Sequence, residues 1–483
     1  MCIHELIVSH NPQILAGLMT KATRIEKDSL GEKQIPQDRY YGIQTVRAAE
    51  NFPVSGVPNH AGIINAYAVI KKAAALANMQ VGWLDETIGR AIVTAAEEVM
   101  DGRMADQFIV DQFQAGAGPS TNMNVNEVLA NRALEILGHE RGRHDIISPN
   151  DHVNMAQSTN DTFPSAMHIA VFTATMALVE IVESLALAFS DKSQDFDRVM
   201  KPGRTHLQDA MPVTLGMEFT AYAAALDRNA LNLSQRATGL LALPLGGTAT
   251  GTGINTHPEY RQRAVIHIAE ITDHPFVANP QMREAMQSMT RVVAVSSACR
   301  ELAVDLSRIA NDLRLMASGP TAGLADIELP AVQPGSSIMP GKVNPVMAEC
   351  LNMICFVIMG NDAAVAQAAA AGQLELNVMM PMMANVLLHS IDYLINYLPV
   401  FETRCVRGIT ADADRLKKKA MQNPALATLL NRKIGYLAAA EVAKESIRTG
   451  RSVIQLVVEK GLLTQAEADD VFSVEALVNR MPE

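Results

Sequence analysis

Apolar residues recur at roughly helical spacing over long stretches of the chain. Ile169, Ala170, Phe172, Leu178, Ile181, Leu185 and Leu187 form one such series, and Val292, Val295, Leu302, Leu306 and Ile309 another. Gly and Pro, the usual helix breakers, are absent for more than thirty residues between Pro164 and Pro202 and again between Pro280 and Gly319. Residues 217–238 are likewise uninterrupted. A helix of about thirty residues is about 45 Å long, so several such rods predict an elongated helical bundle. Their apolar character extends around more than one face. That predicts burial on several sides, as in an oligomer whose bundles pack together; one large monomeric bundle is the alternative.

Composition supports this pattern. At 483 residues the chain exceeds one compact core, so two or three domains are expected. Aromatics make up only 4%, whereas there are 26 Met and many Ala and Leu, a mix that favours helices over strands. A net charge of -11 argues against nucleic acid as a partner, while leaving room for an anionic substrate in a locally positive pocket. Cys2, Cys299, Cys350, Cys355 and Cys405 are scattered without a CxxC pair and read as reduced cytosolic thiols. The twelve His are dispersed without metal-ligand spacing, so no metal is expected in the site. No phosphate-binding glycine motif follows a strand-like run, so no organic cofactor is expected either. The N-terminus lacks the basic start of a signal peptide, and no continuous apolar run reaches membrane-spanning length. The reading is a cytoplasmic protein with no membrane segment.

Between the rods lie four short polar segments of similar chemistry, residues 115–126, 157–164, 202–212 and 334–345. Loops on a rigid scaffold are where chemistry usually sits. The last reads Pro334-Gly335-Ser336-Ser337-Ile338-Met339-Pro340-Gly341-Lys342-Val343-Asn344-Pro345. Its glycines free backbone amides to cradle an oxyanion. Its two serines offer a base and a donor, and Lys342 with Asn344 can address one carboxylate by charge and by amide.

The string from Gly335 to Pro345 resembles the signature loop of the aspartase/fumarase superfamily, and the resemblance extends over nearly the whole chain. Arg24-Ile25-Glu26-Lys27-Asp28, Tyr40-Tyr41-Gly42-Ile43-Gln44-Thr45, Ser158-Thr159-Asn160-Asp161 and the segment from Leu329 to Pro334 look more like the aspartase branch than the fumarase branch. His168-Ile169-Ala170 and Gly246-Gly247-Thr248-Ala249 suit either. The resemblance implies a mainly α, three-domain subunit: an N-terminal domain (1–156), a central bundle of long helices (157–413) and a small C-terminal helical domain (414–483). It also implies a homotetrameric helical core whose active sites each draw loops from three subunits, which explains how segments distant in sequence can serve one site.

The same resemblance assigns roles. Ser336 matches the general base that takes a proton from carbon next to a carboxylate, generating an aci-carboxylate that many donors must hold at once. Ser158, Thr159 and Ser337 match donors to that distal carboxylate. Lys342, Asn344 and Thr205 match the grip on the other carboxylate. Asn160 and His206 match groups around the departing amine or hydroxyl, and Glu349 matches the acid that orients the histidine. Taken singly these residues have plainer readings: Thr159 and Asn160 as a helix cap, Glu349 as a solvated first turn. Their joint order and spacing favour the site.

The chain departs from the family pattern in places. In Gly116-Ala117-Gly118-Pro119-Ser120-Thr121, Pro119 stands where a substrate-contacting threonine is usual. Proline has neither a side-chain donor nor an N–H, so one donor is missing, a loss of about 1.5–3 kcal/mol unless Ser120 or Thr121 replaces it. Met217, Thr321, Met380 and Arg432 also replace the usual residues. Methionine fills irregular core space readily, so neutral repacking and a changed substrate both fit. The readings that follow are an ammonia-lyase converting L-aspartate to fumarate, a lyase of the same superfamily for another amino or hydroxy acid, and a fumarate hydratase. A non-catalytic structural homologue or a dicarboxylate-binding module is the remaining class.

Overall fold

The computed structural model describes residues 22–335 and 338–477. The chain is mainly helical, as its periodicity predicts. In order it runs β1 (Thr23–Asp28), β2 (Gly31–Pro36), α1 (Ile43–Asn51), α2 (Ala61–Gln80), α3 (Glu86–Met100), α4 (Pro119–Ile136) and α5 (Thr159–Asp195). There follow β3 (Met200–Thr205), β4 (Gln208–Thr214), α6 (Leu215–Ala237), β5 (Ala242–Leu243), α7 (Tyr260–Thr272), β6 (Val277–Ala278), α8 (Met282–Gln287) and α9 (Thr290–Met316). The chain ends with α10 (Val346–Ala370), α11 (Met380–Arg404), α12 (Ala413–Met421), α13 (Asn431–Ile434), α14 (Tyr436–Thr449), α15 (Val453–Glu459), α16 (Gln465–Val471) and α17 (Val474–Leu477).

Two compact units emerge, one comprising residues up to 179, 232–301 and 357–394, the other 180–231, 302–356 and 395 onward. Every dividing point falls inside a long helix: α5, α6, α9, α10 or α11.

In the first unit the β1–β2 hairpin pairs Thr23 with Pro36 through Asp28 with Gly31. The bare N-terminus of α1 is satisfied from a distant element: Gly42, Gln44 and Thr45 donate backbone N–H groups to the buried Glu127 carboxylate of α4, and the Thr45 hydroxyl joins them. Burial pushes the Glu127 carboxyl up to about 7 against these donors. His60 caps α2 by accepting from Gly62 N, and Asp85 caps α3 by accepting from Thr87 and Ile88. α4 begins at Gly118, whose φ of +87 is a left-handed turn, followed by Pro119 in the first helical position, where no N–H is needed. A Cβ on Gly118 would lie 2.1 Å from the Phe163 ring, so space as well as dihedral demands glycine.

The second unit contains portions of the five long helices, linked in a closed circuit. Phe189 of α5 packs on Phe219 and Tyr222 of α6. Arg228 and Asn229 of α6 reach Asp305 of α9, and Asn352 of α10 donates to Ser307 of α9. Tyr397 of α11 donates to the Met347 carbonyl of α10, and Ser184 of α5 donates to Glu402 of α11. The C-terminal helices close over a core of their own, in which Leu426, Leu430, Val442, Val453, Leu456 and Val457 are buried. α15 and α16 each start with a complete capping box, Ser452 with Gln455 and Thr464 with Glu467.

Two differences from the sequence expectations are instructive. α5 begins at Thr159 rather than after Pro164, because Ser158 and Asp161 cap it and the proline falls early enough in the helix to be tolerated. α5 and α10 are also long and apolar enough, by length and composition, to cross a membrane. Isolated charges such as Glu180 and Glu183 break the continuous run without much lowering the mean hydropathy. More than half of the apolar stretch of α5 is buried within the chain itself.

Candidate active site

In the first unit two of the polar segments meet around α5. Ser158 Oγ accepts from the Asn160 N–H at 3.2 Å, and Asp161 accepts from the Ser158 N–H at 2.9 Å. Ser158, Thr159 and Asn160 are half-buried beside this reciprocal cap, and among the described residues no acceptor takes the Ser158 or Thr159 hydroxyl proton. The second oxygen of Asp161 accepts from Gly246 N and Thr248 N, both at 2.9 Å. One buried carboxylate therefore fixes two loops. Burial pushes the Asp161 carboxyl up to about 6, against the pull of its three backbone donors and of Lys71. Asn160 donates its amide to the Ala249 carbonyl, which leaves its oxygen as an acceptor.

The start of α4 completes this group. Thr121 is fully buried, and both its N–H and its hydroxyl donate to Gln114 Oε1, at 2.9 and 2.6 Å. Its donor is thus spent inside the protein. Of the two residues expected to stand in for the hydroxyl missing at Pro119, Ser120 is the one not so engaged, and it too is largely buried.

Sequence reasoning missed the group beneath these loops. Lys71 is fully buried, and its ammonium donates to Asn122 Oδ1, Gln157 Oε1 and Asn154 Oδ1 at 2.8, 2.9 and 3.0 Å. Burial pushes its pKa down to about 7, with Asp161 opposing. A signal was present: Lys71 lies four residues from Tyr67 and from Ala75, on the apolar face of α2.

In the second unit Thr205 and His206 sit at the tip of the β3–β4 hairpin. Thr205 pairs with Gln208, so His206 and Leu207 form a two-residue turn, and both have positive φ, 54° and 59°. Such a turn prefers Asn-Gly, and side chains there carry strain of the order of 1–3 kcal/mol each. The hairpin is anchored by Lys201, paired with Glu218 at 2.7 Å, and by Arg204, paired with the fully buried Asp326 at 2.5 Å. Glu349 lies in the first turn of α10, and among the described residues of the chain it makes no ion pair with His206.

Lys342 and Asn344 belong to the 334–345 segment, and both lie close to Gly335. Asn344 Nδ2 donates to the Gly335 carbonyl at 2.9 Å, and a Cβ on Gly335 would lie 1.7 Å from the Lys342 carbonyl oxygen. Ser336 and Ser337 lie outside the described residues.

One further group of metal-capable side chains, His60, His389 and Asp392, has donor atoms within 4.8 Å of one another. His60 Nδ1 accepts from Gly62 N, so its proton sits on Nε2, which faces Asp392 Oδ2 at 2.6 Å. That ring serves as a helix cap and ion-pair partner, and a metal on Nε2 would have to displace that proton.

Comparison with known proteins agrees with the folded pattern. A family model described as "Lyase" matches residues 31–360, and one described as "Fumarase C C-terminus" matches 426–479. Aspartate ammonia-lyase of Bacillus subtilis (strain 168) is 50% identical over 94% of this chain and 95% of its own. That of Helicobacter pylori (strain ATCC 700392 / 26695) is 46% identical over 94% and 98%, and that of Escherichia coli (strain K12) 44% over 95% and 97%. Among solved structures, the cobalt-bound fumarate lyase:delta crystallin from Brucella melitensis has a TM-score of 0.92 at 44% identity, covering 95% of this chain and all of that one. The class II fumarase from Schistosoma mansoni has a TM-score of 0.91 at 33% identity, with the same coverage.

Fold and loops thus define a helical enzyme of the lyase class. The chain belongs to the aspartase/fumarase superfamily, on its carbon–nitrogen lyase branch.

Proposed function

We propose that the protein eliminates ammonia from L-aspartate to give fumarate. The observation that carries this is the sustained 44–50% identity to aspartate ammonia-lyases over at least 94% of the chain, against 33% to a class II fumarase. In this reading Ser336 takes the proton from the carbon beside the distal carboxylate, as its alkoxide stabilised by loop amides and by Lys342. The resulting aci-carboxylate is held by Ser158, Thr159 and Ser337, while Lys342, Asn344 and Thr205 hold the other carboxylate. Asn160, whose carbonyl oxygen is free of its amide's bond to Ala249, and His206 receive the departing amine.

Assembly belongs to the same proposal. Met353, Phe356 and Val357 of α10 are 61%, 59% and 48% exposed, an apolar helix face that a second copy would cover. A homotetramer with shared sites also gives Glu349 of one copy a route to His206 of another, the pairing the single chain does not make. The four described cysteines are free thiols, in keeping with a cytoplasmic enzyme.

A second reading, a different amino or hydroxy acid, is favoured by one observation: Pro119 offers no donor and Thr121 is committed to Gln114. The test is to follow fumarate absorbance in the ultraviolet beside an ammonia assay, with L-aspartate as substrate, for wild type and Ser336→Ala. Matched fumarate and ammonia from wild type, and none from a folded Ser336→Ala protein, are expected. Retained turnover in the variant refutes the base, and an inactive but folded, oligomeric wild type refutes the substrate.

A further inference from the structure

The ammonium of Lys71 has three hydrogen-bonding acceptors, all of them side-chain amide oxygens. In its ammonium form, which three surrounding oxygens favour, this nitrogen only donates, so each amide turns its oxygen toward Lys71 and its NH2 away. For Asn122 the consequence is directional. Its NH2 reaches Asn154 Oδ1 at 3.2 Å and Thr159 Oγ1 at 3.1 Å. A flipped Asn122 amide would set its NH2 against the Lys71 ammonium, donor against donor, in a fully buried place where such a contact has no water to relieve it.

Thr159 Oγ1 is therefore an acceptor on its inner side, and its own proton must go elsewhere. Among the described residues none accepts it, and Thr159 is only half-buried at the start of α5. We propose that Lys71 is a positioning residue which, through Asn122, makes the Thr159 hydroxyl an outward-facing donor to the distal carboxylate of the substrate. The proposal rests on the reading of Thr159 as a substrate ligand. Lys71 touches no substrate; it fixes the direction of a hydroxyl that otherwise rotates freely between donating inward and donating outward.

Asn122→Asp tests this with little change of shape. The aspartate still offers Lys71 an oxygen, but it replaces the NH2 facing Thr159 by a second acceptor, which draws the hydroxyl proton inward. The full-length enzyme is compared as wild type, Asn122→Asp, Thr159→Ala and the double variant. The readouts are kcat and KM for L-aspartate, and the affinity for succinate by calorimetry. Each single variant should lower kcat/KM about 10-fold or more and weaken succinate comparably, and the double variant should be no worse than Thr159→Ala. Lys71→Met should behave alike if it folds; if it does not, Asn122→Asp carries the test. A merely electrostatic effect of the new carboxylate would multiply with Thr159→Ala instead of being absorbed. Multiplying losses, or an unimpaired Asn122→Asp, overturn the positioning role while Thr159 stands. If Thr159→Ala alone changes neither kcat/KM nor succinate affinity, the reading of Thr159 falls and the proposal with it.

Discussion

Replacing Asp161 by Asn separates two roles that one buried carboxylate plays. Asp161 is fully buried and accepts backbone N–H groups from Ser158, Gly246 and Thr248, all at 2.9 Å. Asparagine has nearly the same shape but one oxygen. Turned toward Gly246 and Thr248, that oxygen keeps two bonds, and the NH2 then faces the Ser158 N–H, donor against donor. Leaving the Ser158 N–H without an acceptor costs about 1–3 kcal/mol. Against this stands the burial of the charge. The carboxyl is raised from 3.8 to about 6, so keeping it ionised at neutral pH costs about 3 kcal/mol relative to the unfolded chain, a penalty the neutral amide escapes. The two effects nearly cancel in global stability but not at the site, where Ser158 loses the bond that seats it.

Urea unfolding at pH 7.5 should therefore place Asp161→Asn within about 1–2 kcal/mol of wild type, while kcat/KM falls about 10-fold or more. A variant that loses more than about 4 kcal/mol, or one that keeps full kcat/KM, would refute the reasoning.

Two further predictions follow from named contacts. Pro119→Thr restores a hydroxyl at the first position of α4, which requires no proline, and should raise kcat/KM for aspartate if the natural substrate differs. Unchanged or lower values in steady-state assays mean that the proline belongs to an ordinary aspartate site. His168, fully buried with its ring Nδ1 3.2 Å from the Ala242 carbonyl, is pushed down to about 4 by burial first and Arg291 second. The unfolded chain thus binds a proton that the native state refuses between pH 6.5 and 4, so stability falls as pH falls through that window, by about 3 kcal/mol in all. His168→Asn should remove that part of the loss, so its deficit relative to wild type shrinks by about 2–3 kcal/mol between pH 7 and 4. A deficit constant within about 0.5 kcal/mol across that range would contradict the burial argument.

The sequence by itself determined the long helices, the polar 334–345 loop and the superfamily, whereas the other three polar segments fold largely into the starts of α4 and α5 and into the β3–β4 hairpin. Helical periodicity is a local property: apolar residues three and four apart share a face whatever lies opposite, so α5, α6 and α9 were legible before any contact was known. The signature loop from Gly335 to Pro345 was legible for a similar reason, since glycine, serine and lysine at fixed spacing carry their chemistry within a dozen residues. Tertiary structure decided which hydroxyls remain available. Thr121 looks equivalent to Thr159 on paper, yet one donates to Gln114 and the other accepts from Asn122. Nor does any local pattern show that Asp161 clamps Gly246 and Thr248, or that Glu127 caps a helix some 80 residues away in the chain. Buried polar groups must find partners wherever the fold supplies them, and those partners are settled only when the whole chain has packed.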